Sequence, residues 1–137
     1  MIRFQFQKNF TLSNRTILRK NLEFLLTNEG FSSGSLEIVF CSDDFLLGIN
    51  QDFLNHDYYT DIITFGEVAS DNTISGELYI SIDRVKENSS TFNKSLKEEL
   101  HRVIFHGLLH ICGYGDKTAK EIKQMRKKED YYLDLFR

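Results

Sequence analysis

Residues 95–113 read Ser95-Leu-Lys-Glu-Glu-Leu-His-Arg-Val-Ile-Phe-His106-Gly-Leu-Leu-His110-Ile-Cys-Gly113. Leu96, Leu100, Val103, Ile104 and Leu108 recur at helical spacing and form one apolar stripe. Ser95, with Glu98 three residues on, makes a capping-box pair that starts the helix. Gly113 stops it, because glycine accepts the left-handed backbone that helix ends commonly need. So apolar a helix is expected to be the most buried one in the chain, and its neighbours must supply the surface it covers.

Working outward, residues 77–82 place Leu78, Ile80 and Ile82 on one side, as a strand does, and 62–65 is a short strand before them. Residues 69–75 are polar and read as the tip of a hairpin joining the two. Upstream, Ile2, Phe4 and Phe6 alternate with polar residues, and Leu36, Ile38 and Phe40 do the same over 35–41. Between these two strands a helix is predicted over about 15–28, capped by Ser13 or Asn14, with Ile17, Leu18, Leu22, Leu25 and Leu26 inward. Ser42 caps a second helix over about 43–54 whose first turn carries Asp43 and Asp44, and which is expected to bury Phe45, Leu46, Ile49 and Phe53. Residues 83–88 suggest a helical turn or short helix. Thr118 with Glu121 opens a last helix that runs to about Leu135. The expectation is a single α+β domain over 1–137: about four strands in one mixed sheet, helices packed against it, and a site at the end of a central helix.

That site rests on His106 and His110. Residues four apart share a helix face, so both imidazoles can reach one metal ion. The turn at Gly113 allows Asp116 to return as a third ligand. Two nitrogens, one oxygen and an open position suit a catalytic zinc, or a divalent ion of similar preference. Cys112 reads as a small apolar side chain rather than a ligand.

Composition sets bounds. Two cysteines give no disulfide framework, no apolar run is long enough to span a membrane, and the first residues alternate like a strand rather than a signal peptide. A cytoplasmic location is the default expectation. The net charge of −3 argues neither for nor against nucleic acid, so local charge must decide. Lys117, Lys120, Lys123, Arg126, Lys127 and Lys128 crowd one stretch against Glu121 alone, and several recur at helical spacing. Such a stripe could gather a phosphate backbone, or simply be a solvated helix face.

The stretch His106-Gly-Leu-Leu-His110-Ile-Cys-Gly113-Tyr-Gly-Asp116 resembles the signature of the YbeY family of endoribonucleases. Three further blocks follow that family's order: Ile49-Asn50 through Asp57 and Thr60-Asp61 to Phe65, then Gly76-Glu77-Leu78-Tyr79-Ile80, then Met125 to Glu129. The resemblance implies one zinc ion and cleavage of single-stranded RNA. It places that activity in ribosomal RNA maturation (the 16S rRNA 3′ end) and ribosome quality control, with the small ribosomal subunit as partner. It gives no reason to expect DNA or a membrane. Two departures stand out. Asp116 occupies the place of the family's third histidine, with Gly115 replacing its aspartate. Leu54 falls where the family has an arginine, and Tyr59 where it has a proline. A carboxylate still suits zinc, but it leaves the ion a weaker Lewis acid, and losing the guanidinium removes the family's usual hold on phosphate.

No general base stands out. Glu77 is a weak candidate, provided its strand faces the site. His56 near Leu54 could touch substrate, as could Lys117, Lys120, Lys123 and Lys127. Tyr58 and Tyr59 could stack on bases but are by default packing residues, Met125 is expected beneath the metal loop, and His101 lies off the ligand face. Two rival readings remain. One is a zinc-containing, RNA-associated protein without catalysis. The other is a metalloprotease of the metzincin type, which needs a glutamate where Gly107 stands.

Overall fold

The structure, a computed structural model, describes residues 1–56 and 58–137. Asp57, within the second family block, lies outside the described residues. In chain order the elements are β1 (Ile2–Phe6), α1 (Arg15–Asn28), β2 (Ser32–Cys41), α2 (Asp43–Leu54), β3 (Ile62–Val68), β4 (Thr73–Ser81), α3 (Ile82–Thr91), α4 (Leu96–Ile111) and α5 (Ala119–Leu135). The strands form one mixed sheet in the order β1-β2-β4-β3. β1 and β4 both run parallel to β2, and β3 returns antiparallel along β4.

Strand alternation assigns the two faces. Leu36, Ile38 and Phe40 of β2, with Ile74, Leu78 and Ile80 of β4, are buried in the main core. That core is closed by Leu18, Leu22, Leu25 and Leu26 of α1 and by Leu100, Val103, Ile104 and Leu108 of α4. Helix α4 is therefore buried as its stripe requires. It also approaches β3 and β4 closely at Gly107, where a Cβ would lie 2.6 Å from Ile62 Cδ1 and 2.7 Å from Leu78 Cδ2. The opposite face is thinner: Cys41, Leu46 and Ile63 make a small cluster flanked by Ile49, Phe65 and Tyr79.

This asymmetry explains where the expected burial fails. Phe45 and Phe53 were expected inside α2, yet Phe53 is 72 % exposed and Phe45 also faces solvent. They cover only the rim of the small cluster, meeting Tyr79 and Phe65 edge on or tilted. Ile17, on α1 over the main core, is exposed for a different reason: the buried side of that helix begins at Leu18. Asn14 occupies the cap position with φ 56°, and its side chain accepts no hydrogen bond there. Ser42, Ser95 and Thr118 do cap their helices. Only Thr118 completes its capping box, because the Glu98 carboxylate is drawn instead to Arg137 and Lys94. The hairpin tip is shorter than read, since Thr73, Ile74 and Ser75 already pair with Val68, Glu67 and their neighbours.

His101 lies away from the ligand face, half-buried and near Phe105. Burial, helped by the charge of Lys97, pushes its imidazole down to about 4. The unfolded chain takes up this proton near pH 6.5, so stability is fully retained above that pH and falls as the pH drops toward 4. His101→Leu is expected to remove up to about 3 kcal/mol of this dependence, read as the change in urea midpoint between pH 7 and 4.5.

Candidate metal centre and its clefts

The last two turns of α4 carry His106 and His110, and Gly113, at φ 113°, follows its end. Asp116 then returns to the helix, its Oδ2 lying 3.3 Å from His106 Nε2. The other nitrogen of His106 is 2.7 Å from Glu129 Oε2 on α5. A carboxylate can only accept there, so Nδ1–H donates, and in the neutral ring Nε2 keeps its lone pair on the side that faces Asp116. His110 behaves alike. Its Nδ1 is 3.1 Å from the Tyr114 backbone carbonyl, again an acceptor, which leaves Nε2 unprotonated in the neutral ring. Both imidazoles are thus held in the tautomer that offers Nε2, the arrangement usual around bound metals. As placed, no three His, Cys, Asp or Glu side chains among the described residues are gathered closely enough to hold an ion. His106 and Asp116 are in contact, and His110 lines the same cleft.

Buried groups brace this pair from behind. Glu129, only 4 % exposed, also accepts from Arg102 Nη1 at 2.9 Å, and Arg102 Nη2 reaches Asp130 at 2.7 Å. Burial would push the His106 imidazole down, but the Glu129 hydrogen bond and the charges of Glu129, Asp116 and Asp61 outweigh it and raise it. A second brace crosses the molecule. Glu29, at the end of α1, accepts from Tyr114 Oη at 2.7 Å, from Lys128 Nζ at 3.1 Å and from Tyr132. Burial raises the Glu29 carboxyl, yet these bonds together bring it below its ordinary value. Pinning Tyr114 fixes the carbonyl that orients His110. Glu29→Ala is therefore expected to weaken metal retention about tenfold, measured by competition with a chelator, although Glu29 lies outside the ligand set.

Two clefts meet at His106 and Asp116. One is lined by His110, Lys117, Leu54, His56 and Tyr58, with His56 and Tyr58 stacked at 5.1 Å between ring centroids. The other runs toward α3 and holds Asp61, Glu99, Phe92, Lys94, Arg102 and Arg126. So the structure brings together His106, His110, Asp116, Lys117 and His56. Glu77 falls elsewhere. It sits on the strand face opposite Leu78, bonded to Tyr79 near the α2 side, and lines neither cleft, so it is not placed to act as a base here. Lys120, Lys123 and Lys127 are exposed on α5 and also line neither cleft, while Lys128 and Arg126 are engaged by Glu29 and Glu129. Met125 is buried, as expected. Cys112 is half-buried, its thiol pushed up to about 12 by burial and by the charge of Glu29, which keeps it a poor ligand.

Glu29, Glu99 and Arg102 escaped the sequence reading, and Asp61 entered it only as part of a family block. The signal for two of them was present: Glu99, Arg102 and His106 follow one another along one side of an otherwise apolar helix. Glu29 carried no such signal, because its partners are distant in sequence.

The family model described as Endoribonuclease YbeY matches residues 2–137. The chain belongs to the YbeY endoribonuclease family. Among its YbeY relatives, the protein of Cytophaga hutchinsonii is 48 % identical over 132 residues, covering 96 % of this chain and 92 % of the relative. That of Flavobacterium johnsoniae is 40 % identical over 136 residues, covering 99 % and 97 %. Both relatives carry the name Endoribonuclease YbeY. The solution structure of TM1509 from Thermotoga maritima superposes with a TM-score of 0.70 at 28 % identity, covering 99 % of this chain and 89 % of that one. The α+β fold expected from the sequence is thus the fold of a solved protein. Against the metzincin pattern, Gly107 has no side chain and is buried against the sheet. No helix among the described residues is long and apolar enough to cross a membrane.

Proposed function

We propose that this chain is a zinc-dependent endoribonuclease that cuts single-stranded RNA in ribosomal RNA maturation, working in the cytoplasm with the small ribosomal subunit. The observation that carries the reading is the matched pair of imidazoles. Each gives its Nδ1 proton to a fixed acceptor, and both line the cleft that Asp116 shares. His106, His110 and Asp116 are the residues that would hold the ion. When bound, zinc polarises a phosphoryl oxygen and acidifies water near neutral pH. Lys117, next to Asp116 on the cleft wall, supplies a cation for substrate phosphate where Leu54 lines the same wall without charge. Lys120, Lys123 and Lys127 make no ion pair among the described residues and add attraction from a distance. Reversing all three charges is expected to weaken RNA binding at least about tenfold while metal content stays constant, read by fluorescence anisotropy and metal analysis.

The test compares cleavage of single-stranded and duplex RNA with and without chelator. Cutting confined to single strands, lost with chelator and regained with zinc, supports the proposal. The second reading, a zinc-containing RNA-associated protein without catalysis, draws on the uncharged Leu54 at the cleft wall. It predicts binding without cutting in the same experiment.

A further inference from the structure

We infer that the cleft beside α3 is a nucleobase site, in which Glu99 accepts from the exocyclic amine of a base next to the cut and Phe92 stacks on its face. The inference rests on the endoribonuclease reading and extends it to base preference.

Glu99 is only 5 % exposed, yet its carboxylate has no hydrogen-bond partner among the described residues. It is not sealed in, because it lines a cleft of about 530 Å³ that also contains His106 and Asp116. Its oxygens are open to the cleft but little of the residue is, so a ligand donor arriving there meets an acceptor that protein donors do not hold. The rest of the wall describes that ligand. Phe92, the cap residue of α3, is 58 % exposed at the cleft, a flat apolar surface with no ring stacked on it among the described residues. Lys94 and Arg126 bring donors to the same wall. An aromatic face, a carboxylate and cationic donors around one cleft match the stacking face, amine edge and carbonyl groups of a base. The same lining opposes a second metal ion. Cations stand among the carboxylates, and the described carboxylates do not converge on a point. Stacking on Phe92 needs a base free of its helix, so the site also favours single strands.

Cytosine carries the amine and uracil does not, at nearly equal size, so the comparison between them isolates Glu99. Anisotropy titrations with labelled oligo-C and oligo-U of one length are expected to show tighter binding of oligo-C by about tenfold. Glu99→Met keeps the volume and removes the acceptor. It is expected to bring the ratio to about one without lowering the melting temperature, because Arg102 and Arg126, the cations whose charges act on Glu99, keep Glu129 and Asp130 as partners. A purely structural Glu99 would instead lower the melting temperature and leave the ratio alone. Phe92→Ala, at an exposed position, is expected to weaken both oligomers about fivefold. Oligo-C is also expected to bind more tightly than cytidine monophosphate, since the site belongs to a strand. Four results would overturn the inference: a wild-type ratio near one, an unchanged ratio in Glu99→Met, unchanged affinity in Phe92→Ala, or equal binding of the free nucleotide. Cleavage assays on the same oligomers separate the two readings. A C-over-U ratio that Glu99→Met abolishes in a protein that never cuts would remove the endoribonuclease reading and keep the base site. Cutting with an unaltered ratio would do the reverse.

Discussion

His110→Ala is expected to reduce cleavage of single-stranded RNA at least about 10³-fold, the loss of roughly 4 kcal/mol of transition-state stabilisation that a metal commonly supplies. His110 is exposed at the end of α4, so its removal leaves the core beneath it, Leu108 and Leu109, untouched. The melting temperature of the metal-free protein is expected to stay within a few degrees of wild type. Chelated wild type and His110→Ala should then show the same residual rate, because each lacks the ion by a different route. His110→Gln offers an oxygen at nearly the same reach and is expected to recover part of the metal affinity but little of the rate. Rates from single-turnover cleavage, compared with metal content of the same preparations, check each of these outcomes.

Glu129→Ala is expected to act on stability and on the metal together. Removing it deprives His106 of its orienting acceptor and leaves Arg102, with a side chain 15 % exposed, one partner short. Breaking a buried pair in this way costs on the order of 3 kcal/mol. Asp130 still holds Arg102, which keeps the loss toward the lower end of the usual range. Metal affinity is expected to fall 10- to 100-fold, roughly the effect of losing a carboxylate behind a metal-bound histidine. The stability loss also depends on pH in the metal-free protein. The raised His106 imidazole makes its share of the stabilisation fully present below the unfolded value near 6.5, and that share fades as the pH rises through the higher native value. The variant should therefore differ more from wild type at pH 6 than at pH 9, measured by urea unfolding in chelator. Glu129→Gln keeps an acceptor for Arg102 and should recover much of the stability.

The helix that decides the fold was legible because its signals agreed. The stripe from Leu100 to Leu108, the Ser95 cap and the Gly113 stop all describe one element, and it is buried where they require. The strands were legible from alternation, but their order was not. That β4 lies between β2 and β3 follows from long-range packing of two faces, to which a period-two pattern is blind. The hairpin tip was read too long because Thr73 and Ser75 are polar although they pair. They point to the sheet face that only α2 covers, where polar side chains reach solvent. The same thin face left Phe45 and Phe53 outside. At the site, His106, His110 and Asp116 were readable from local spacing on one helix and its turn. Glu29 follows α1, Asp61 precedes β3 and Glu129 lies on α5, and only the fold could place them around those residues.

Zinc titration of protein prepared without a metal-binding tag tests the central claim most directly, with wild type, His106→Ala, His110→Ala and Asp116→Ala compared by calorimetry. The predicted result is one site per wild-type chain, with each substitution weakening it by tenfold or more. An Asp116→Ala protein that binds zinc as tightly as wild type would contradict the three-residue site on which this account stands.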